Sequence, residues 1–83
     1  MKLQPTGRFA REYARLPPQL QQRVDRALEL LLENPRHPSL QAKKMKGYEN
    51  RWEARVTLHY RLVFSIEADT YVLFRVGTHD LLK

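Results

Sequence analysis

Apolar residues recur along this chain with two different periods, and the change falls near its middle. Phe9, Tyr13 and Leu16 are spaced i, i+4, i+7, which puts them on one face of a helix. Thr6 is a suitable N-cap, so a first helix is predicted from Gly7 to about Arg15. Pro17-Pro18 ends it, because the residue before a proline avoids the helical region. Pro18 opens a second helix, since the first helical position needs no N–H donor. That helix is predicted to run to about Glu33, with Asn34-Pro35 as its stop. Leu20, Val24, Ala27, Leu28, Leu31 and Leu32 form its apolar stripe, with Gln21, Gln22, Arg23, Arg26 and Glu29 on the other side. The two helices make an αα-hairpin.

Beyond residue 50 the period becomes two. Trp52, Ala54 and Val56 share one side of a predicted strand, and Tyr60, Leu62, Phe64 and Ile66 share one side of the next. Thr70 to Thr78 is apolar on both faces, as a strand covered on both sides is. Thr57-Leu58-His59 is a tight connection and Glu67-Ala68-Asp69 a hairpin turn, so the three strands form an antiparallel meander. Met1 to Pro5 reads as a short edge strand, and Arg36 to Asn50, without a clear period, as a basic loop. The expectation is an α+β fold of order βααβββ, with the helical hairpin on one face of a small antiparallel sheet. The 83 residues are short enough that 1–83 is expected to be one domain.

Charge adds a local feature. The chain carries 15 Lys+Arg against nine Asp+Glu, a net of +6. Most of the excess lies in residues 36–61, where Arg36, Lys43, Lys44, Lys46, Arg51, Arg55 and Arg61 face only Glu49 and Glu53. So concentrated a positive field attracts nucleic acid or an acidic protein segment. No cysteine is present, which excludes disulfides, thiolate metal sites and a cysteine nucleophile. Apolar runs such as Leu30-Leu31-Leu32 are far short of the roughly 20 residues of a membrane span, so no membrane partner is expected. The first residues hold no apolar signal region, and a cytoplasmic location is expected.

Several chemistries find no residues to carry them. Three glycines do not make a phosphate-cradling loop. His37, His59 and His79 are not at metal-ligand spacing, and Ser39 and Ser65 sit in no nucleophile elbow. No metal and no cofactor is expected. What remains is a set of basic residues on strands. Arg75 and His79 share parity, and Glu53 and Arg55 share the side of their strand opposite Trp52. If the helices cover the Trp52 side, Glu53 and Arg55 lie on the open face. Parity does not place Arg61 there, because the register between strands is open. Such a face serves equally as a solvated surface and as a groove.

In order and spacing, Phe9…Tyr13…Leu16-Pro17, Glu33-Asn34-Pro35, His37-Pro38-Ser39-Leu40 and Lys43-Lys44-Met45-Lys46-Gly47 are followed by Trp52-Glu53-Ala54-Arg55-Val56, Tyr60-Arg61-Leu62-Val63-Phe64 and Gly77-Thr78-His79-Asp80. This succession, over nearly all of the chain, resembles the RelE/ParE superfamily of bacterial toxins from type II toxin–antitoxin pairs. The family's fold agrees with the order derived from periodicity.

The resemblance implies an antitoxin partner and one of two activities. RelE-like and YafQ-like members cleave messenger RNA on the ribosome without a metal. ParE-like members inhibit DNA gyrase by binding, without RNA cleavage. By position, Arg61 matches the arginine that RelE-like enzymes use at the scissile phosphate. His79 matches a basic residue after the last strand, which is histidine in YafQ-like toxins. Arg55 matches a lysine of the RelE-like site or a histidine of the YafQ-like one. Glu53 stands where RelE-like enzymes have a second lysine, and His59 where YafQ-like ones have aspartate. Lys43, Lys44 and Lys46 match the segment that meets ribosomal RNA, and Arg51 and Arg75 extend that RNA-binding set.

RNA cleavage needs a base for the 2′-OH, positive charge at the phosphorus oxygens, and an acid for the 5′-oxygen. Arg61 and Arg55 are the cation candidates, since guanidinium stays charged and binds phosphate bidentately. His79 is the acid–base candidate, Glu53 a candidate base and His59 a weaker one. The function expected is a ribosome-dependent endoribonuclease, with gyrase inhibition as the alternative.

Overall fold

The computed structural model describes Met1 to Leu82. Its elements are β1 (Lys2–Pro5), α1 (Gly7–Ala14), α2 (Pro18–Glu33), a 3-10 turn (Pro38–Leu40), β2 (Lys43–Lys44), β3 (Trp52–Arg55), β4 (Tyr60–Glu67) and β5 (Thr70–Thr78). The strands form one sheet in the order β1-β5-β4-β3-β2. From β5 to β2 all pairings are antiparallel, and β1 joins β5 in parallel. Both helices lie on the face carrying Ala54, Leu62, Phe64, Tyr71, Leu73 and Val76, where those residues meet Phe9, Val24, Ala27, Leu30 and Leu31 in one core. Among the described residues no helix is long and apolar enough to cross a membrane.

The helix boundaries follow local chemistry. Thr6 caps α1, its Oγ1 accepting the Phe9 N–H at 3.2 Å and donating to the Phe74 carbonyl at 3.3 Å. Pro18 opens α2, and Gln21 Nε2 donates to the Tyr13 carbonyl across the hinge (3.0 Å). Tyr13 also closes the hairpin, its hydroxyl donating to Asp25 Oδ1 at 2.7 Å. That hydrogen bond, aided by desolvation and the Asp25 charge, raises the Tyr13 pKa above the ordinary tyrosine value. The neutral phenol is thus favoured by folding, and its contribution is full below the unfolded tyrosine pKa and lost as pH rises through the folded one. Tyr13→Phe should destabilise the chain at neutral pH by about 1 kcal/mol and flatten the alkaline loss of stability. Urea melts at neutral and alkaline pH would show it. The part that remains is expected from Tyr71, which burial also shifts upward.

Three details differ from the sequence expectation. In α2, Leu30 is buried and Leu32 is 41% exposed. Val24, Ala27 and Leu31 set the inward direction, and Leu32 stands a further 100° round from Leu31, whereas Leu30 is one turn beyond Ala27. Residues 36–50 are not all loop. Lys43 and Lys44 pair with Glu53 and Trp52 as a two-residue strand, closed by the Met45 N–H on the Arg51 carbonyl at 2.7 Å. Two adjacent lysines show no apolar alternation, which hid it. Finally, β5 contains a bulge. Val63 pairs with Arg75 and Phe64 with Leu73, so Phe74 is an extra residue. It inverts the parity of β5, and Tyr71 and Leu73 before it share the core with Val76 after it.

Beyond Leu73, β5 has no strand on its outer side among the described residues. The Thr6 N–H takes the Leu73 carbonyl at 2.9 Å, and Glu12 Oε1 accepts the Val76 N–H at 3.1 Å. The other Glu12 oxygen accepts from Arg75 Nη2 at 2.7 Å and Nε at 3.2 Å. One carboxylate therefore ends the exposed sheet edge and fixes a strand arginine.

Candidate functional site

The register lays out the open face in cross-strand rows. Lys43, Glu53, Val63 and Arg75 form one row, and Arg55, Arg61 and Gly77 the next. The C-terminal residues fold over the end of this face. A Cβ on Gly77 would stand 3.3 Å from Leu81 Cδ2, closer than side chains ordinarily approach, so glycine there lets the last turn lie down on the strand. The His79 N–H donates to the His59 carbonyl at 2.8 Å, which anchors the same turn.

A cleft of about 600 Å³ opens between the β2–β3 loop, the sheet and this turn. Lys43, Lys44, Lys46, Arg51, Glu53, Arg75 and His79 all line it, together with Arg8, Met45, Tyr48, Val63 and Leu82. Seven residues singled out in the sequence thus converge on one concave surface. Arg61 and Arg55 do not line it. Arg55 lines a separate cleft of about 440 Å³ with Arg23, Arg26 and His37, at the junction of α2, the 3-10 turn and β3. His59 is exposed in the β3–β4 turn.

The cations of the region differ in how they are held. Arg75 is committed to Glu12, with Arg8 Nε 4.0 Å from the same carboxylate. Arg61 is committed to the turn that precedes it. Its Nη1 lies 2.6 Å from the Thr57 carbonyl, 2.9 Å from that of Leu58 and 3.1 Å from that of Tyr60. Its Nε is 3.8 Å from Glu53 Oε1, and both side chains are more than four-fifths buried. Among the described residues Lys43, Lys44 and Lys46 have no carboxylate partner, so their charge is available to an anion. Arg51 is held by rings instead, its guanidinium carbon 4.2 Å from the Phe74 centroid and 5.1 Å from that of Tyr48.

Chemically, the cleft offers both partnered and unpartnered positive charge among the described residues, one carboxylate and one imidazole. That set suits a polyanion carrying a bond to be cleaved by proton transfer. Sequence reasoning missed Glu12, Arg8 and Tyr48. A signal for Glu12 existed: it lies between Phe9 and Tyr13 on the inward side of α1, where an acid needs a cationic partner, and Arg75 was a strand arginine without one.

Comparison with known proteins adds a family. The model of "ParE toxin of type II toxin–antitoxin system, parDE" matches residues 3–80. Comparison with curated protein sequences finds no match. Among solved structures, a YoeB/ParE toxin from Agrobacterium tumefaciens superposes with a TM-score of 0.83 at 18% identity, over 95% of this chain and 99% of that one. YafQ from E. coli strain BL21(DE3) gives 0.81 at 15% identity, over 98% and 96%. The RelB–RelE antitoxin–toxin complex from Methanococcus jannaschii gives 0.77 at 21% identity, over 95% and 93%. At these identities the likeness to the solved structures is one of fold.

Proposed function

The chain belongs to the ParE toxin family of type II toxin–antitoxin systems, within the RelE/ParE superfamily, and from that premise we propose that this toxin cleaves messenger RNA on the ribosome without a metal. The observation that carries the reading is the convergence of His79, Glu53 and the unpaired Lys43, Lys44 and Lys46 on one cleft. In the reaction a 2′-oxygen loses its proton, attacks the adjacent phosphorus, and the bond to the 5′-oxygen breaks as that oxygen gains a proton. His79 is assigned one of the two proton transfers, Glu53 is the candidate for the other, and the lysines and Arg51 meet the negative charge of the strand. Arg61 acts from beside the cleft, holding the β3–β4 turn and the Glu53 carboxylate in place. Arg55 lies on its separate cleft and is given no part in this chemistry.

An antitoxin partner is proposed as well, supported by the solved RelB–RelE and DinJ–YafQ complexes among the structural relatives. A basic cleft suits an acidic segment of such a partner as well as it suits RNA.

One observation favours the second reading, a toxin that inhibits DNA gyrase by binding. Arg61, expected at the scissile phosphate, spends its Nη1 on three turn carbonyls. The deciding experiment adds the purified chain to translating ribosomes and, separately, to a gyrase supercoiling reaction. Cleaved messenger with unaltered supercoiling is the expected result. Inhibited supercoiling with intact messenger makes the open face a docking surface.

A further inference from the structure

Tyr48 is an aromatic residue left half exposed, at 50%, on a chain that buries Phe9, Phe64 and Tyr71 almost completely. An isolated surface ring ordinarily needs no explanation, but this one is held. The Arg51 guanidinium stands 5.1 Å from its centroid and 4.2 Å from that of Phe74, the bulge residue, so the ring is tied to the sheet through a cation. The loop that carries it is pinned at both ends. The Met45 N–H meets the Arg51 carbonyl at 2.7 Å, and Gly47 takes the left-handed conformation (φ 87°) the turn requires. Asn50 closes the far end, its Nδ2 donating to the Ile66 carbonyl and Glu67 Oε2, both at 2.9 Å, and its Oδ1 accepting from the Ile66 N–H at 3.1 Å. A ring presented this way loses little freedom when something lies on it.

Tyr48 also shares the cleft with the unpaired Lys43, Lys44 and Lys46. Aromatic faces beside backbone-tracking cations are the arrangement that binds single strands, where bases stack and phosphates meet lysines. A duplex offers no such partner, because its base faces are already stacked on each other. We infer that the Tyr48 ring, backed by Arg51 and Phe74, is a stacking platform for an unpaired nucleobase of single-stranded RNA. This rests on the RNA reading given above and adds to it the place where one base is gripped.

The test is fluorescence anisotropy at low salt with a short single-stranded RNA and with the same RNA lacking one base. Tyr48→Ala should weaken binding of the intact RNA roughly five- to 150-fold, the cost of losing one stacked base, and Tyr48→Phe should restore it. The wild-type chain should lose a similar factor when the base is absent, and Tyr48→Ala should no longer tell the two RNAs apart. Because the side chain is on a surface loop, both variants are expected to melt like the wild type. Equal binding of intact RNA by Tyr48→Ala and wild type overturns the platform alone. So does a loss on Tyr48→Ala that is the same for both RNAs. Failure of the wild-type chain to bind either RNA overturns the platform, while cleavage on translating ribosomes decides the RNA reading separately.

Discussion

Replacing His79 with alanine is expected to slow messenger cleavage on the ribosome by roughly 100- to 10,000-fold, the range of one positioned proton transfer, while the chain stays folded. His79 holds its turn through its backbone N–H, which alanine retains, so the loss should be chemical. A pH–rate profile separates this from Arg61→Ala. Without the imidazole one limb of the profile should disappear. Without Arg61 the rate should fall at every pH, because the β3–β4 turn and the Glu53 carboxylate lose the group that holds them. Arg61→Ala should also lower stability, because the carbonyls of Thr57, Leu58 and Tyr60 lose a shared charged donor, a term of about 1–3 kcal/mol. A melting curve read beside the rate tells whether the loss of rate follows the loosening of the turn. Full cleavage by the His79 variant would remove that residue from the mechanism.

Phe64→Ala is expected to cost roughly 3–5 kcal/mol, against a total stability of about 5–15 kcal/mol for a domain of ordinary size. Phe64 is 1% exposed, sits on the central strand, and meets Tyr71 edge to face with centroids 5.7 Å apart. The alanine would leave a cavity between the sheet and the helices, where Val24 and Leu31 have no exposed surface with which to follow. Urea unfolding would measure it, and a loss under about 1 kcal/mol would contradict close packing of the helices on this face.

The helical hairpin and the three meander strands were legible because the helices, β3 and β4 each have a dominant period, β5 is an apolar run, and the ends are chemically marked. Pro17-Pro18 and Asn34-Pro35 bracket α2, and Trp52, Leu62 and Phe64 alternate on the side that became the core. What was not legible depended on pairing. The bulge at Phe74 follows from register alone, which no single strand encodes. Lys43-Lys44 is a strand only because Glu53 and Trp52 lie opposite. For the site, composition pointed to the basic stretch, and Lys43, Lys44, Lys46 and His79 did converge. The state of each arginine was invisible, since Arg75 answers to Glu12, 63 residues earlier, and Arg61 to carbonyls of its own turn.

The parallel pairing of β1 with β5 has a consequence for how the chain comes into being. Lys2 lies opposite Thr70 and Pro5 opposite Leu73, so β1 docks on a strand that is synthesised 68 residues later. The hydrogen bonds of Thr6 to Leu73 and Phe74 and of Glu12 to Val76 wait for the same segment. Contacts of such long sequence separation close late and slowly. A nascent chain released before β5 would therefore lack the neighbour of β1, the anchor of the Thr6 cap and the partner of Glu12 together. Arg75 and His79, which help to line the cleft, would be missing as well. Completion of the fold and assembly of the basic cleft are thus tied to β5 and the turn that follows it.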